Sequence, residues 1–177
     1  MKLYITGSVG SGKSTLAEQI SQITGVPCTH LDELIHIPCS SEKWGNIKRS
    51  DEEIDSEFNS IIVSDNYVIE DNGRERFVEG MKNADKIIVL DISLKVRKYR
   101  IVKRWIMQKL GLEKCIYKPK LFVLKSMFRW LNNYECGKDG TKSRLKEFES
   151  KTIYLTDQNE IERFLHELWE NTYQRAA

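Results

Sequence analysis

The segment that most restricts the fold of this chain is Gly7-Ser-Val-Gly-Ser-Gly-Lys-Ser-Thr15, together with what flanks it. An apolar run, Leu3 to Thr6, leads in. Lys13 to Thr24 leads out, with Leu16, Ile20 and Ile23 at helical spacing before Gly25 and Pro27 end the pattern. A strand that turns through three glycines straight into a helix needs backbone angles and a closeness of approach that a Cβ forbids. The string satisfies G-x-x-x-x-G-K-[ST], which arises by chance in on the order of one chain in a hundred of this length at average residue frequencies. Such a turn points its N–H groups inward at the start of a helix, where the free amides and the dipole favour phosphate. The expected nucleotide-binding residues are Gly7, Ser8, Gly10, Ser11, Gly12, Lys13, Ser14 and Thr15. Lys13 would place a charge on the β- and γ-phosphate oxygens of ATP, the Ser14 hydroxyl would ligate Mg²⁺, and Thr15 would touch the α-phosphate.

Four further short apolar runs read as strands: Cys28 to Leu31, Tyr67 to Ile69, Lys86 to Leu90 and Thr152 to Leu155. Lys86-Ile-Ile-Val-Leu90 has no polar alternation after its first residue, as expected for a strand covered on both faces. Between the runs lie helix-like stretches. Ser50-Asp-Glu-Glu53 is a capping box ahead of Ile54, Phe58, Ile61 and Ile62, and Asp157-x-x-Glu160 caps a last helix bearing Ile161, Phe164, Leu165 and Leu168. Strands alternating with helices predict an α/β domain, with a five-stranded, mainly parallel sheet and helices on both faces. The stretch between the fourth and fifth strands reads as helices over roughly 94–110, 120–134 and 141–148, a helical insert or lid (95–148) within a single domain (1–177).

That insert is where the charge lies. Lys95 to Lys146 holds sixteen Lys and Arg against three acids, whereas the whole chain has a formal net charge of only +2. A basic segment on an acidic body attracts polyanions: nucleotide phosphates, a phosphorylated substrate, or DNA. The rings of Trp105, Phe122, Phe128, Trp130 and Tyr134 lie among these basic residues, but Leu121, Leu124, Phe128 and Leu131 follow helical spacing and predict core, and no nucleic-acid motif accompanies them. Four cysteines are scattered without a C-x-x-C pair, so reduced thiols are expected. No run approaches a membrane span, and Met1 to Gly10 is too short for a signal-peptide core; a cytoplasmic chain is expected, with no membrane partner.

Asp32 follows the second strand, at the carboxyl edge where ligands gather in open α/β sheets. A carboxylate there suits an acceptor hydroxyl, which gains from being oriented or deprotonated. An acceptor phosphate would call for Arg, and none occurs between Asp32 and Lys48. His30 and His36 flank the same edge. Arg74 and Arg76, past the third strand, are candidates for gripping the acceptor. In the helix from Leu94, Arg97, Arg100 and Arg104 fall within an arc of about 60° at 100° per residue, and Tyr99, Val102, Ile106 and Leu110 fall roughly opposite. This predicts an apolar packed face with three guanidiniums projecting together, a geometry suited to phosphate oxygens. Arg100 and Arg104, with Lys13 and Asp32, are the expected catalytic residues. By pattern alone, Asp91 after the fourth strand is a candidate second carboxylate for Mg²⁺.

In order along nearly the whole chain, Gly7–Thr15, His30-Leu-Asp32, Tyr67-Val-Ile-Glu-Asp-Asn72, Leu90-Asp91 and the Arg-rich helix at Arg100–Arg104 resemble the adenylate-kinase-like P-loop kinases, and among them the bacterial DNA topology modulation proteins. The resemblance implies a P-loop NTPase three-layer α/β/α fold with a helical lid. It implies ATP and Mg²⁺ as cofactors, a metal-binding acid at the end of the third strand, and arginines of the lid closing over the transferring phosphoryl. The acid is Glu70 or Asp71: Asp71 stands where the family usually has Gly, which leaves the choice open. The implied activity is an ATP- and Mg²⁺-dependent small-molecule phosphotransferase of the nucleoside- and nucleotide-kinase kind. The alternatives are an ATP-binding protein of the topology modulation type associating with DNA, and a degenerate kinase that binds ATP and transfers nothing.

Overall fold

The computed structural model describes residues 1–113, 115 and 117–173. Its strands are β1 (Lys2–Gly7), β2 (Cys28–His30), β3 (His36–Pro38), β4 (Asn46–Lys48), β5 (Tyr67–Glu70), β6 (Lys86–Leu90) and β7 (Thr152–Leu155). Its helices are α1 (Lys13–Thr24), α2 (Leu31–Ile35), α3 (Asp51–Ile62), α4 (Val78–Asn83), α5 (Leu94–Lys109), α6 (Leu121–Glu135), α7 (Thr141–Lys146) and α8 (Gln158–Tyr173). Five strands form a parallel sheet in the order β2-β5-β1-β6-β7, so β1 is central and the loop after it opens at the carboxyl edge between β5 and β6. The α/β class and all five strands agree with expectation. The small β3–β4 antiparallel hairpin adds to the expected strands; three-residue strands carry too little periodicity to read in a sequence.

Alternation along the strands builds a core on each side of the sheet. Tyr4, Ile69, Ile87 and Val89 face one way, against Leu34, Ile54, Phe58 and Met81. Leu3, Ile5, Val68, Ile88 and Leu90 face the other way, against Leu16, Ala17 and Ile20 of α1 and Ile161 of α8. Each Val, Leu, Ile, Phe or Met side chain among these, fully buried, contributes about 1.5–3 kcal/mol over its exposed state. The capping box at α3 forms as predicted: the Glu53 N–H donates to Ser50 Oγ and the Ser50 N–H donates to the Glu53 carboxylate. At α8 the Glu160 N–H donates to Asp157, while the Glu160 carboxylate accepts from the Thr156 N–H.

Helix α5 corrects one expectation. Tyr99 and Leu110, predicted to pack, are 66% and 65% exposed, and Arg97, predicted to project, is 2% exposed. The packed side carries Leu94 and Ile101, which join Val123, Met127 and Leu131 of α6 and Val9 of the glycine-rich loop. Arg97 is buried with it because its charge is answered: Nη2 meets Glu135 Oε1 at 2.7 Å and Nε donates to the Ile92 carbonyl at 2.6 Å. Helix α6 likewise buries Val123, Met127, Leu131 and Tyr134 and leaves Leu121 and Trp130 exposed. Among the described residues no helix is long and apolar enough to cross a membrane.

Candidate active site

The loop between β1 and α1 holds Gly7, Gly10 and Gly12 at φ 144°, 77° and 103°. At Gly7 a Cβ would stand 2.7 Å from the Leu90 carbonyl, and at Gly10 it would stand 2.9 Å from the Arg97 carbonyl and 3.0 Å from Ile101 Cγ1. These two glycines let β6 and α5 close onto the loop. Gly12 begins α1 with no side-chain cap, and no acid sits in the first turn, so the helix N-terminus keeps its amides and its positive end for another group. The Ser8 and Ser11 hydroxyls are buried and have no hydrogen-bond partner among the described residues. Buried hydroxyls in this state are costly unless a ligand or water engages them.

Lys13 is buried, and its ammonium donates to the Ser8 carbonyl at 3.2 Å and lies 3.7 Å from Glu70 Oε1. Ser14 Oγ donates to Glu70 Oε2 at 3.3 Å, and His30 Nδ1 stands 3.0 Å from the same oxygen. The Glu70 carboxyl is held below its ordinary range: burial pushes it up, but His30, Lys13 and Ser14 together outweigh that. His30 is raised to about 10 by its hydrogen bonds to Cys28 and Glu70, against burial. Thr15 lies on the exposed side of α1.

Asp71, the other half of the strand-end pair, is used differently. Oδ2 accepts from the Tyr4 hydroxyl at 3.0 Å and from the Gly73 and Arg74 N–H groups at 2.7 Å each, and Oδ1 accepts from Arg74 Nη1 at 2.6 Å. Neighbouring residues of a strand point to opposite faces, so Glu70 meets α1 and Asp71 meets the loop that follows. Arg74, fixed by Asp71, reaches across with Nη2 to the Asp32 carboxylate in the first turn of α2. Asp32 and Arg74, drawn from separate stretches of sequence, therefore stand together. Arg144 of α7 closes the same loop from above, donating through Nε and Nη2 to the Gly73 carbonyl. Nothing in its spacing singled Arg144 out.

Arg76 does not join this group. Its guanidinium pairs with Asp51 and Asp55 of α3. Arg100 does reach the loop: Nη1 donates to the Ser11 carbonyl at 2.8 Å. Arg104, one turn further along α5, is half-exposed and pairs with Glu113 at 3.1 Å. His36 Nδ1 lies 3.2 Å from the Asp32 carbonyl. Asp91 donates its N–H to Leu155 and lines a separate cavity of about 270 Å³ with Tyr134, Lys142 and Tyr154. The four cysteines are free thiols.

No protein-family model matches the chain, and no curated protein sequence does. Solved structures do. An unliganded sugar kinase from Janibacter sp. HTCC2649 aligns over 99% of this chain and 97% of its own, at TM-score 0.54 and 18% identity. The shikimate kinase of Aquifex aeolicus aligns over 99% and 98%, at 0.53 and 19%. The deoxyadenosine kinase of M. mycoides, solved with bound dATP, aligns over 95% and 99%, at 0.53 and 15%. The chain has the fold of these kinases. The likeness spans nearly the full length of both partners.

Proposed function

We propose that this protein is an ATP- and Mg²⁺-dependent phosphotransferase that delivers the γ-phosphoryl to a hydroxyl of a small molecule. The observation that carries the reading is the convergence of Lys13, Ser14 and Glu70 at the uncapped start of α1, beside a loop whose Ser8 and Ser11 hydroxyls are buried and unpartnered. The kinase fold agrees with it. The donor set fits a magnesium ion that keeps water and phosphate ligands: one hydroxyl and one carboxylate 3.3 Å apart. When bound there, the ion supplies charge neutralisation at the phosphate oxygens. Of the two strand-end acids the reading uses Glu70, because Asp71 already accepts four hydrogen bonds.

The chain's own residues divide the remaining work. The loop amides and Lys13 bind the phosphates. Arg100, already at the Ser11 carbonyl, adds a second fixed cation at the loop's outer side. Asp32 orients the acceptor hydroxyl and accepts its proton, and Arg74 holds that carboxylate while offering its remaining edge to an anionic group on the acceptor. Catalysis of this kind is positioning plus charge stabilisation for in-line displacement. The finer resemblance to topology modulation proteins stands on the sequence motifs alone.

The test is transfer of labelled γ-phosphoryl from ATP to a panel of nucleosides, sugars and hydroxy acids. Asp32→Asn abolishes transfer and leaves ATP binding intact. Full activity in Lys13→Ala, or transfer to no hydroxyl in the panel, contradicts the proposal.

A further inference from the structure

Among the described residues Glu70 has three partners, and two of them are claimed by the proposed reaction. Lys13 is redirected to phosphate, and Ser14 to the metal. The third is His30. It stands opposite Glu70 in the parallel register of β2 and β5, so the two side chains leave neighbouring strands on the same side. Its Nδ1 lies 3.0 Å from Glu70 Oε2, and the ring is steadied from behind by Glu18 of α1 and Cys28, each 3.8 Å from Nε2. His30 reaches the carboxylate from β2 and not from the glycine-rich loop.

We infer that His30 is a positioning residue for the metal carboxylate: its Nδ1–H fixes the orientation of Glu70, so that the carboxylate would stay presented to a metal beside Ser14 once Lys13 turns to the nucleotide. The inference rests on the proposed nucleotide site. Partners that orient a ligating carboxylate typically change metal affinity by about 10–100-fold when removed. The contact belongs to the metal and not to the phosphate cradle, so its loss changes what Mg²⁺ adds to ATP binding and leaves metal-free ATP binding alone.

The experiment is calorimetric titration of ATP into the full chain, with Mg²⁺ and with EDTA, for wild type, His30→Ala, His30→Phe, His30→Asn, Glu70→Gln and the double variant His30→Ala/Glu70→Gln. The quantity read is the ratio of the two affinities. His30→Ala and His30→Phe each lower it about tenfold. His30→Asn, which keeps a donor near Nδ1, restores most of it. In the Glu70→Gln background His30→Ala changes nothing further. His30→Phe keeps a ring in place should the alanine variant fail to fold. A normal ratio in the ring variant, or an equal loss in the Glu70→Gln background, overturns the role of His30 alone. Absence of ATP binding by wild type in both conditions overturns the nucleotide site, and the positioning role with it.

Discussion

Asp71→Ala tests whether this carboxylate is a strut. Its side chain is fully buried and accepts from the Tyr4 hydroxyl, two backbone N–H groups and the Arg74 guanidinium. Removing one partner of a buried charge pair costs about 3–5 kcal/mol. Arg74 is partly exposed and retains Asp32, which reduces the penalty, while Tyr4, fully buried, loses its acceptor. The net expectation is a loss of about 2–4 kcal/mol. For a chain of this length each kcal/mol lowers Tm by about 2–4 °C, so a fall of about 4–16 °C is expected. Asp71→Asn keeps a carbonyl oxygen for the two N–H groups and loses the charge on Arg74, so it falls between. The assay is thermal and urea unfolding followed by circular dichroism, in EDTA and without nucleotide, where a metal ligand contributes nothing. Unfolding of Asp71→Ala within about 0.5 kcal/mol of wild type would refute the strut and return Asp71 to the metal candidates.

Three further outcomes follow from the same geometry. Ile101→Ala should destabilise by about 2–5 kcal/mol and Ile106→Ala by under about 0.5, measured by urea unfolding; the reverse order would restore the packed face that periodicity predicts for α5. Gly10→Ala places a Cβ 2.9 Å from the Arg97 carbonyl at φ 77°, so a loss of about 2–4 kcal/mol is expected, with α5 loosened as read by hydrogen exchange; unchanged protection in α5 would contradict the close approach. His30 has a folded pKa raised to about 10, so it contributes stability that is present below its ordinary 6.5 and declines as pH rises from 6.5 through about 10. Imidazole resonances should show His30 still protonated at pH 8, and a midpoint near 6.5 would refute the combined effect of its hydrogen bonds to Cys28 and Glu70.

The sheet was legible because its strands are short apolar runs buried on both faces, punctuated by glycine and by capping residues that act locally. The loop was legible because its chemistry is written in consecutive residues. What could not be read depends on partners far away in the chain. Arg97 is buried because Glu135, on another helix, answers its charge, and a helical wheel scores it as solvent-facing. Glu70 and Asp71 are equivalent in composition and adjacent in sequence; only the pairing of β5 with β1 and β2 decides which meets α1. Arg74 and Arg76 also look alike until α3 presents Asp51 and Asp55 to one of them and α2 presents Asp32 to the other.

The central claim, that the turn from β1 into α1 cradles the phosphates of a nucleotide, is tested most directly by amide chemical shifts during titration with ATP and Mg²⁺. The account predicts that the largest changes fall on the N–H groups of residues 7–15, and that Lys13→Ala weakens the titration at least tenfold while the fold persists. Changes confined to residues outside this turn, or a Lys13→Ala protein that titrates like wild type, would contradict it.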